Sequence, residues 1–285
     1  FMDNIYLNTP WEQQYNDLDA RTILDRLAAV KYFVVTDGQE DRLPYGYNKF
    51  MAAAEKDNIM YKAFTCENLL PLGYTYDSYI PEEKYEKMSA VQKQQALLQG
   101  VVLSDSSLAE KEAEFNDKDI PYSVTASEGC REEDGKFIVT KENARIELEI
   151  NGLDDSETYL QVENLKYDAF SPRQCVSDEE WEQMSTYEQK KHLHQDSKWR
   201  YWENSRKAFI NVRGEGSAYK MLRIFTDKYN AYSGKHNFIC NTGYSVNGKS
   251  SITLTFENTG VYTLDDLEIV CQPMNKVDSQ TDKLA

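Results

Sequence analysis

No apolar run in these 285 residues approaches the length of about 18 that a membrane-spanning helix requires. The opening FMDNIYLNTP has neither a basic n-region nor an apolar h-region, so it does not read as a signal peptide. Taken alone the chain is expected to be soluble, and if its parent is a membrane protein it is a piece lying between or beside the spans. Basic clusters are missing too. Against 32 Lys and Arg stand 48 Asp and Glu, a net charge of −16 with no local basic run, which excludes nucleic acid as a partner and disfavours adhesion to anionic lipid. The five cysteines (Cys66, Cys130, Cys175, Cys240, Cys271) form no CxxC pair, so zinc spacing is absent, and an odd number cannot all pair within the chain. Cys271 falls in phase with Leu267 and Ile269 and reads as a small buried apolar residue; a Cys240–Cys271 bridge is the weaker alternative.

Histidine is scarce, with three residues. His192 and His194 form H-x-H, but the surrounding residues read as helix, where positions two apart point about 200° away from each other and cannot share a metal. His236 stands alone, and no Ser/His/Asp or Cys/His signature surrounds a nucleophile. RGEGS at 213–217 lacks the strand–glycine–helix context of a phosphate loop and reads as a turn. Asp17-Leu18-Asp19 and Asp117-Lys118-Asp119 match a short DxD pattern that such an acidic composition produces freely. Asp154-Asp155 and Asp265-Asp266 offer hard oxygen ligands for calcium at a sheet edge, though both sit beside turns and are more simply solvated. No cofactor and no metal is expected.

What the chain has in quantity is tyrosine, 20 residues, whose apolar body and polar tip suit half-buried strands. Residues 17–29 place Ala20, Ile23, Leu24 and Leu27 on one helical face. Val30 to Val35 reads as a strand ended by Asp37-Gly38, residues 39–60 as loop with one helix, and Tyr61–Phe64 with Leu72–Tyr76 as a hairpin around a Pro-Leu-Gly bend. Segments 80–99 and 176–195 share a helix-start grammar: Ser89 with Gln92, Ser177 with Glu180 and Ser185 with Glu188 predict three capping boxes, which convergence explains better than duplication because the flanks do not repeat.

From about residue 120 the hydrophobic period becomes two. In 144–150, Ile146, Leu148 and Ile150 alternate with Arg145, Glu147 and Glu149; in 251–257, Ile252, Leu254 and Phe256 alternate with threonines. Further strands are predicted at 137–140, 159–165, 209–212, 221–225, 238–241 and 267–271, with turns at Asn151-Gly152, Asn247-Gly248 and Thr259-Gly260. The expected fold is α+β, mainly β: a jelly-roll-like antiparallel β-sandwich over 119–285, a helical excursion at about 171–204, and a mixed α/β region over 1–118 packed on the sandwich. The aromatic residues of the second half are the surface hint. Trp181, Trp199, Tyr201 and Trp202 fall in the excursion, and Tyr229, Tyr232 and Tyr244 in later loops. Flat aromatic faces suit stacking on sugar rings, which makes Trp199, Tyr201, Trp202, Tyr229 and Tyr232 the candidate carbohydrate-binding residues; pinning the excursion to the sandwich is the blander use of the same rings.

The run of Glu67, Asn68, Leu70, Pro71, Leu72, Gly73, Tyr74 and Tyr76, set within Ala20–Leu103, resembles the YfhO family of bacterial membrane proteins. The likeness resumes at GYSVNGKSSITLTFENTGVYTLDDLEIVCQPM (243–274) and is unspecific across 171–204. The family is similar to multi-span glycosyltransferases that use lipid-phosphate sugar donors outside the cytoplasmic membrane, with the spans and the acidic catalytic residue N-terminal to this region. The resemblance therefore implies a non-catalytic extracytoplasmic unit, partnered with the membrane-spanning part of its own polypeptide and with a cell-envelope polysaccharide, in a pattern that continues beyond Ala285. A charge of −16 counts against a polyanionic acceptor such as teichoic acid. A free-standing carbohydrate-binding or adhesion module and a secreted β-sandwich glycoside hydrolase are the two alternatives; the latter needs two carboxylates about 5–9 Å apart.

Overall fold

The computed structural model describes residues 18–202, 207–215, 219–225, 234–264 and 266–285, the side chains of 199–202, 207 and 266 excepted. Antiparallel sheets dominate. The first contains five strands in the order Lys220–Phe225, Lys207–Gly214, Lys249–Phe256, Ala144–Asn151, Tyr122–Glu128. The second contains four, in the order Phe238–Ser245, Ser156–Glu163, Asp266–Pro273, Lys118–Asp119. Inward residues of both, among them Ile146, Leu148, Ile150, Leu160, Val162, Ile210, Val212, Cys240, Ile252, Leu254 and Ile269, form one core. Each fully buried aliphatic side chain there contributes about 1.5–3 kcal/mol relative to exposure. A smaller sheet (Lys166–Ala169, Gly260–Thr263, Lys136–Val139, Cys130–Glu133) closes one end with Phe137, Phe256 and Tyr262 in ring contact. Period-two patterning at Ala144–Asn151 is realised residue by residue, buried and exposed in strict alternation.

The second sheet behaves differently, because its outer face is covered. Ala90 and Val91 of the helix Ala90–Ala96 pack on Tyr159, Ile239 and Val270. The helix Thr22–Leu27 meets the C-terminal helix Met274–Leu284 through Ile23, Met274 and Val277. All three predicted capping boxes form: Ser89 with Gln92, Ser177 with Glu180, and Ser185 with Glu188. Ser89 starts the helix that covers Tyr159, so Ser89→Ala is expected to lower stability by about 1 kcal/mol, read as a shift in the denaturant midpoint.

Two local expectations are corrected. Residues 39–60 contain no α-helix: after the 3-10 turn Glu40–Arg42 comes a strand, Lys49–Lys56, which turns through Asp57 and Asn58 (φ +54° and +61°) into Ile59–Thr65. Both turn residues adopt the left-handed conformation that Asp and Asn tolerate, and the ladder outweighs the helix propensity of the alanines in MAAAEK. Leu72–Tyr76 does not form a hairpin with Tyr61–Phe64 either. Ile59–Thr65 is the central strand between Tyr32–Thr36 and Lys49–Lys56, so both of its edges are already taken. The Leu72–Tyr76 stretch is irregular, pinned where the hydroxyls of Tyr74 and Tyr76 donate to the carbonyls of Leu27 and Leu97. No disulfide joins any of the five cysteines. Cys240 and Cys271 lie on strands flanking Ser156–Glu163 from opposite sides, two strand spacings apart, roughly 9–10 Å and beyond bridging distance.

Candidate functional site

The sequence-derived aromatic cluster is not assembled within the described residues. Trp199, Tyr201 and Trp202 belong to the last two turns of the helix Thr186–Trp202, with side chains outside the described set, and Tyr229 and Tyr232 lie outside the described residues altogether. Trp181 is engaged in packing: the Arg173 guanidinium sits 4.3 Å from its ring centroid and His192 meets it edge-on at 6.2 Å. Tyr244, expected in a loop, is in the strand Phe238–Ser245. Of the proposed calcium pairs, Asp265 is outside the described residues, and Asp155 accepts a hydrogen bond from the Tyr244 hydroxyl at 2.8 Å. Among the described residues no three His, Cys, Asp or Glu side chains gather as a metal would need.

Instead a shallow cleft, enclosing about 20 Å³, forms where the N-terminal region meets the second sheet. Arg42, Pro44 and Tyr45 make one wall, Asn241 and Tyr244 the other, and Glu157 the floor. A bulge positions the second wall. Between Thr158 and Tyr159 the register with the neighbouring strand shifts by one residue, leaving Thr242 without an opposite number and turning Asn241 towards the N-terminal region. There the Asn241 side chain donates to the Ala20 carbonyl at 2.7 Å and accepts from the Gly243 N–H at 2.9 Å.

The floor is charged and dry. Glu157 is wholly buried; one carboxylate oxygen accepts from the Thr22 hydroxyl at 2.6 Å and the other from the Tyr159 hydroxyl at 2.5 Å. Burial raises its pKa above the ordinary carboxylate range, against the lowering effect of those bonds and of Arg26. Arg21, equally buried, donates to Gln94 at 2.9 Å, and burial lowers its pKa despite the counter-charges of Asp19 and Glu157. With both oxygens engaged inside the fold, Glu157 is a counter-charge for the docked N-terminal region rather than an acid aimed at a ligand.

The mouth is aromatic. The Tyr45 and Tyr244 rings lie 4.6 Å apart, inclined at 43°. Each hydroxyl is anchored on a carboxylate: Tyr45 donates to Asp278 at 2.9 Å, and Tyr244 to Asp155 at 2.8 Å. Asp278 is in turn ion-paired to Arg26 at 2.7 Å, and the Arg26 guanidinium lies 5.8 Å from the Tyr45 ring centroid. Burial and the Asp278 bond push the Tyr45 phenol up to about 12; burial and Asp155 likewise raise Tyr244. Each phenol stays protonated with its one proton committed to its carboxylate, which leaves the oxygen as an acceptor for a ligand hydroxyl and opposes any role as a base. Tyr45, Arg26 and Glu157 carried no signal in the sequence reading. The stretch LPYGY (43–47) held the cue that went unread: Gly46, between Tyr45 and Tyr47, takes φ +84°.

A sequence model of the family described as "Bacterial membrane protein YfhO" matches residues 1–285. The chain belongs to the YfhO family. It is 26% identical over 130 residues to the uncharacterised protein YfhO of Bacillus subtilis (strain 168). That match takes in 46% of this chain and 14% of the Bacillus protein's length, so this YfhO chain spans a minor part of its relative. Among the described residues no helix is long and apolar enough to cross a membrane. Two solved structures share weak likeness. The insecticidal crystal protein Cry2Aa matches at TM-score 0.24 and 12% identity, over 49% of this chain and 17% of that one. The exo-beta-1,3-galactanase of Phanerochaete chrysosporium matches at TM-score 0.25 and 9% identity, over 56% and 30%. At those scores neither bears on function.

Proposed function

We propose that this YfhO chain is the extracytoplasmic accessory unit of a membrane protein that transfers sugars to a cell-envelope polymer, and that it holds the acceptor without performing the transfer. The observation that carries the reading is the cleft mouth in a chain of a membrane-protein family: two tyrosine rings 4.6 Å apart, each held by its hydroxyl's bond to a carboxylate. Rings held in this way give a sugar an apolar face to stack on and phenol oxygens to accept its hydroxyl protons, at little further entropy cost. The acceptor is taken to be neutral or weakly charged, because a net charge of −16 repels a polyanion.

Binding of the purified chain to a panel of neutral and polyanionic envelope polysaccharides tests this. A neutral glycan is expected to bind, and Tyr244→Ala to weaken it about tenfold, the effect of losing one stacking partner of about 1.4 kcal/mol. Silence across the panel, or binding untouched by Tyr244→Ala, would sink the proposal.

A further inference from the structure

We propose that the uncharged face of the N-terminal three-stranded sheet is the surface on which this unit docks against the membrane-spanning remainder of the YfhO polypeptide. The inference rests on the accessory-unit reading above and gives it a contact surface. In the sheet Tyr32–Thr36, Ile59–Thr65, Lys49–Lys56, the cross-strand register sets Val34, Ala63 and Ala52 in one row, with Tyr32, Tyr61 and Ile59 on the same side. Tyr32, Val34 and Ile59 are exposed by 48%, 60% and 43%. In a chain with 28% charged residues, the middle of this face has none, and Lys49 and Lys56 bound it at the two ends of the outer strand. An apolar centre with a charged rim is the composition of a protein–protein contact.

The opposite face of the same sheet is occupied by the fold on one side only, with Phe50 and Met60 exposed by 56% and 36% towards the outer strand. Phe33 stacks edge-on against Tyr47 at 4.7 Å, and Lys62 is held between Asp37 and Glu40 at 2.5 Å each. That opposite face also carries Lys62 and Glu55, so the face centred on Val34, Ala63 and Ala52 is the uncharged one of the two.

Three observations choose the occupant. The chain belongs to a membrane-protein family, and the match takes in 14% of the Bacillus relative's length, so most of that relative lies outside the match. The face is centred on alanines (Ala52, Ala63), which let another backbone approach closely. Two copies of a chain at −16 repel one another, which disfavours a homodimer through this face.

A photo-crosslinking residue at Val34, in the full-length protein in its native membrane, tests the docking; the same residue at exposed Glu149 on the sandwich is the control. Val34 is expected to crosslink to the membrane-spanning part of its own chain, at a yield about tenfold above Glu149. Adducts with lipid, with a second copy, or no adduct above the Glu149 level would overturn the proposal. Glycan binding by the isolated chain does not involve this face, so the two proposals fail separately.

Discussion

Glu157→Ala is expected to destabilise the chain by about 3–5 kcal/mol, the cost of breaking a buried ionic network from one side. The carboxylate is 0% exposed and ties the N-terminal helix to the second sheet, with Thr22 from that helix and Tyr159 from its own strand as donors, and Arg21 and Arg26 as nearby cations. Removing it takes the short-range acceptor from two buried hydroxyls and weakens the counter-charge for two guanidiniums that are themselves buried. Chemical denaturation of wild type and variant measures the loss; a change below about 1 kcal/mol would show that the layer is wetter than its burial implies. Glu157→Gln separates charge from shape. Since burial raises the folded-state pKa above the ordinary 4.5, the native state holds this proton more tightly than the unfolded chain does. The site thus favours folding most below pH 4.5 and less as pH climbs through the raised value. Gln does not titrate, so wild type should lose stability relative to Glu157→Gln across that window. A difference that stays flat would mean that the arginines hold Glu157 ionised throughout.

How far such a site was legible depends on where its partners lie in sequence. The sandwich core could be read directly, since Ile146, Leu148 and Ile150 alternate with exposed Arg145, Glu147 and Glu149 on a strand with one wet face. In Ser156–Glu163 the same logic fails, because seven of the eight residues are buried. Glu157, Tyr159 and Gln161 look like an outward polar face, yet the helices starting at Thr22 and Ala90 lie over them. The decisive contact, Thr22 to Glu157, spans 135 positions, and Tyr45 to Asp278 spans 233; no local pattern carries information of that range. The capping boxes were legible for the opposite reason, as each is closed within three residues. The hairpin at Asp57-Asn58 lay between: the turn residues were visible, but three alanines on one side imitated a helix.

The same bulge that shapes the cleft makes Gly214→Ala the most damaging small substitution in the sandwich. Gly214 ends the strand Lys207–Gly214 opposite Ile252, where that strand passes beneath Phe238–Ser245 of the other sheet. A Cβ there would overlap the Thr242 carbonyl oxygen and stand 2.6 Å from its carbonyl carbon and 2.7 Å from its Cβ. All three atoms belong to the bulged residue, whose hydroxyl is tied to the Thr158 carbonyl at 2.9 Å, so the obstacle is backbone and no rotamer change relieves it. Overpacking against an unyielding wall costs more than the usual 1–3 kcal/mol, and about 3–5 kcal/mol is expected, read as a lowered denaturation midpoint. The displacement also has a direction. If Thr242 moves away from residue 214, Asn241 and Tyr244 move with it, and the bonds from Asn241 to the Ala20 carbonyl and from Tyr244 to Asp155 are strained together. Gly214→Ala should therefore weaken glycan binding as well as the fold, whereas Ser89→Ala should affect the fold alone. Equal binding by wild type and a folded Gly214→Ala chain would show that the bulge and the cleft mouth are mechanically independent.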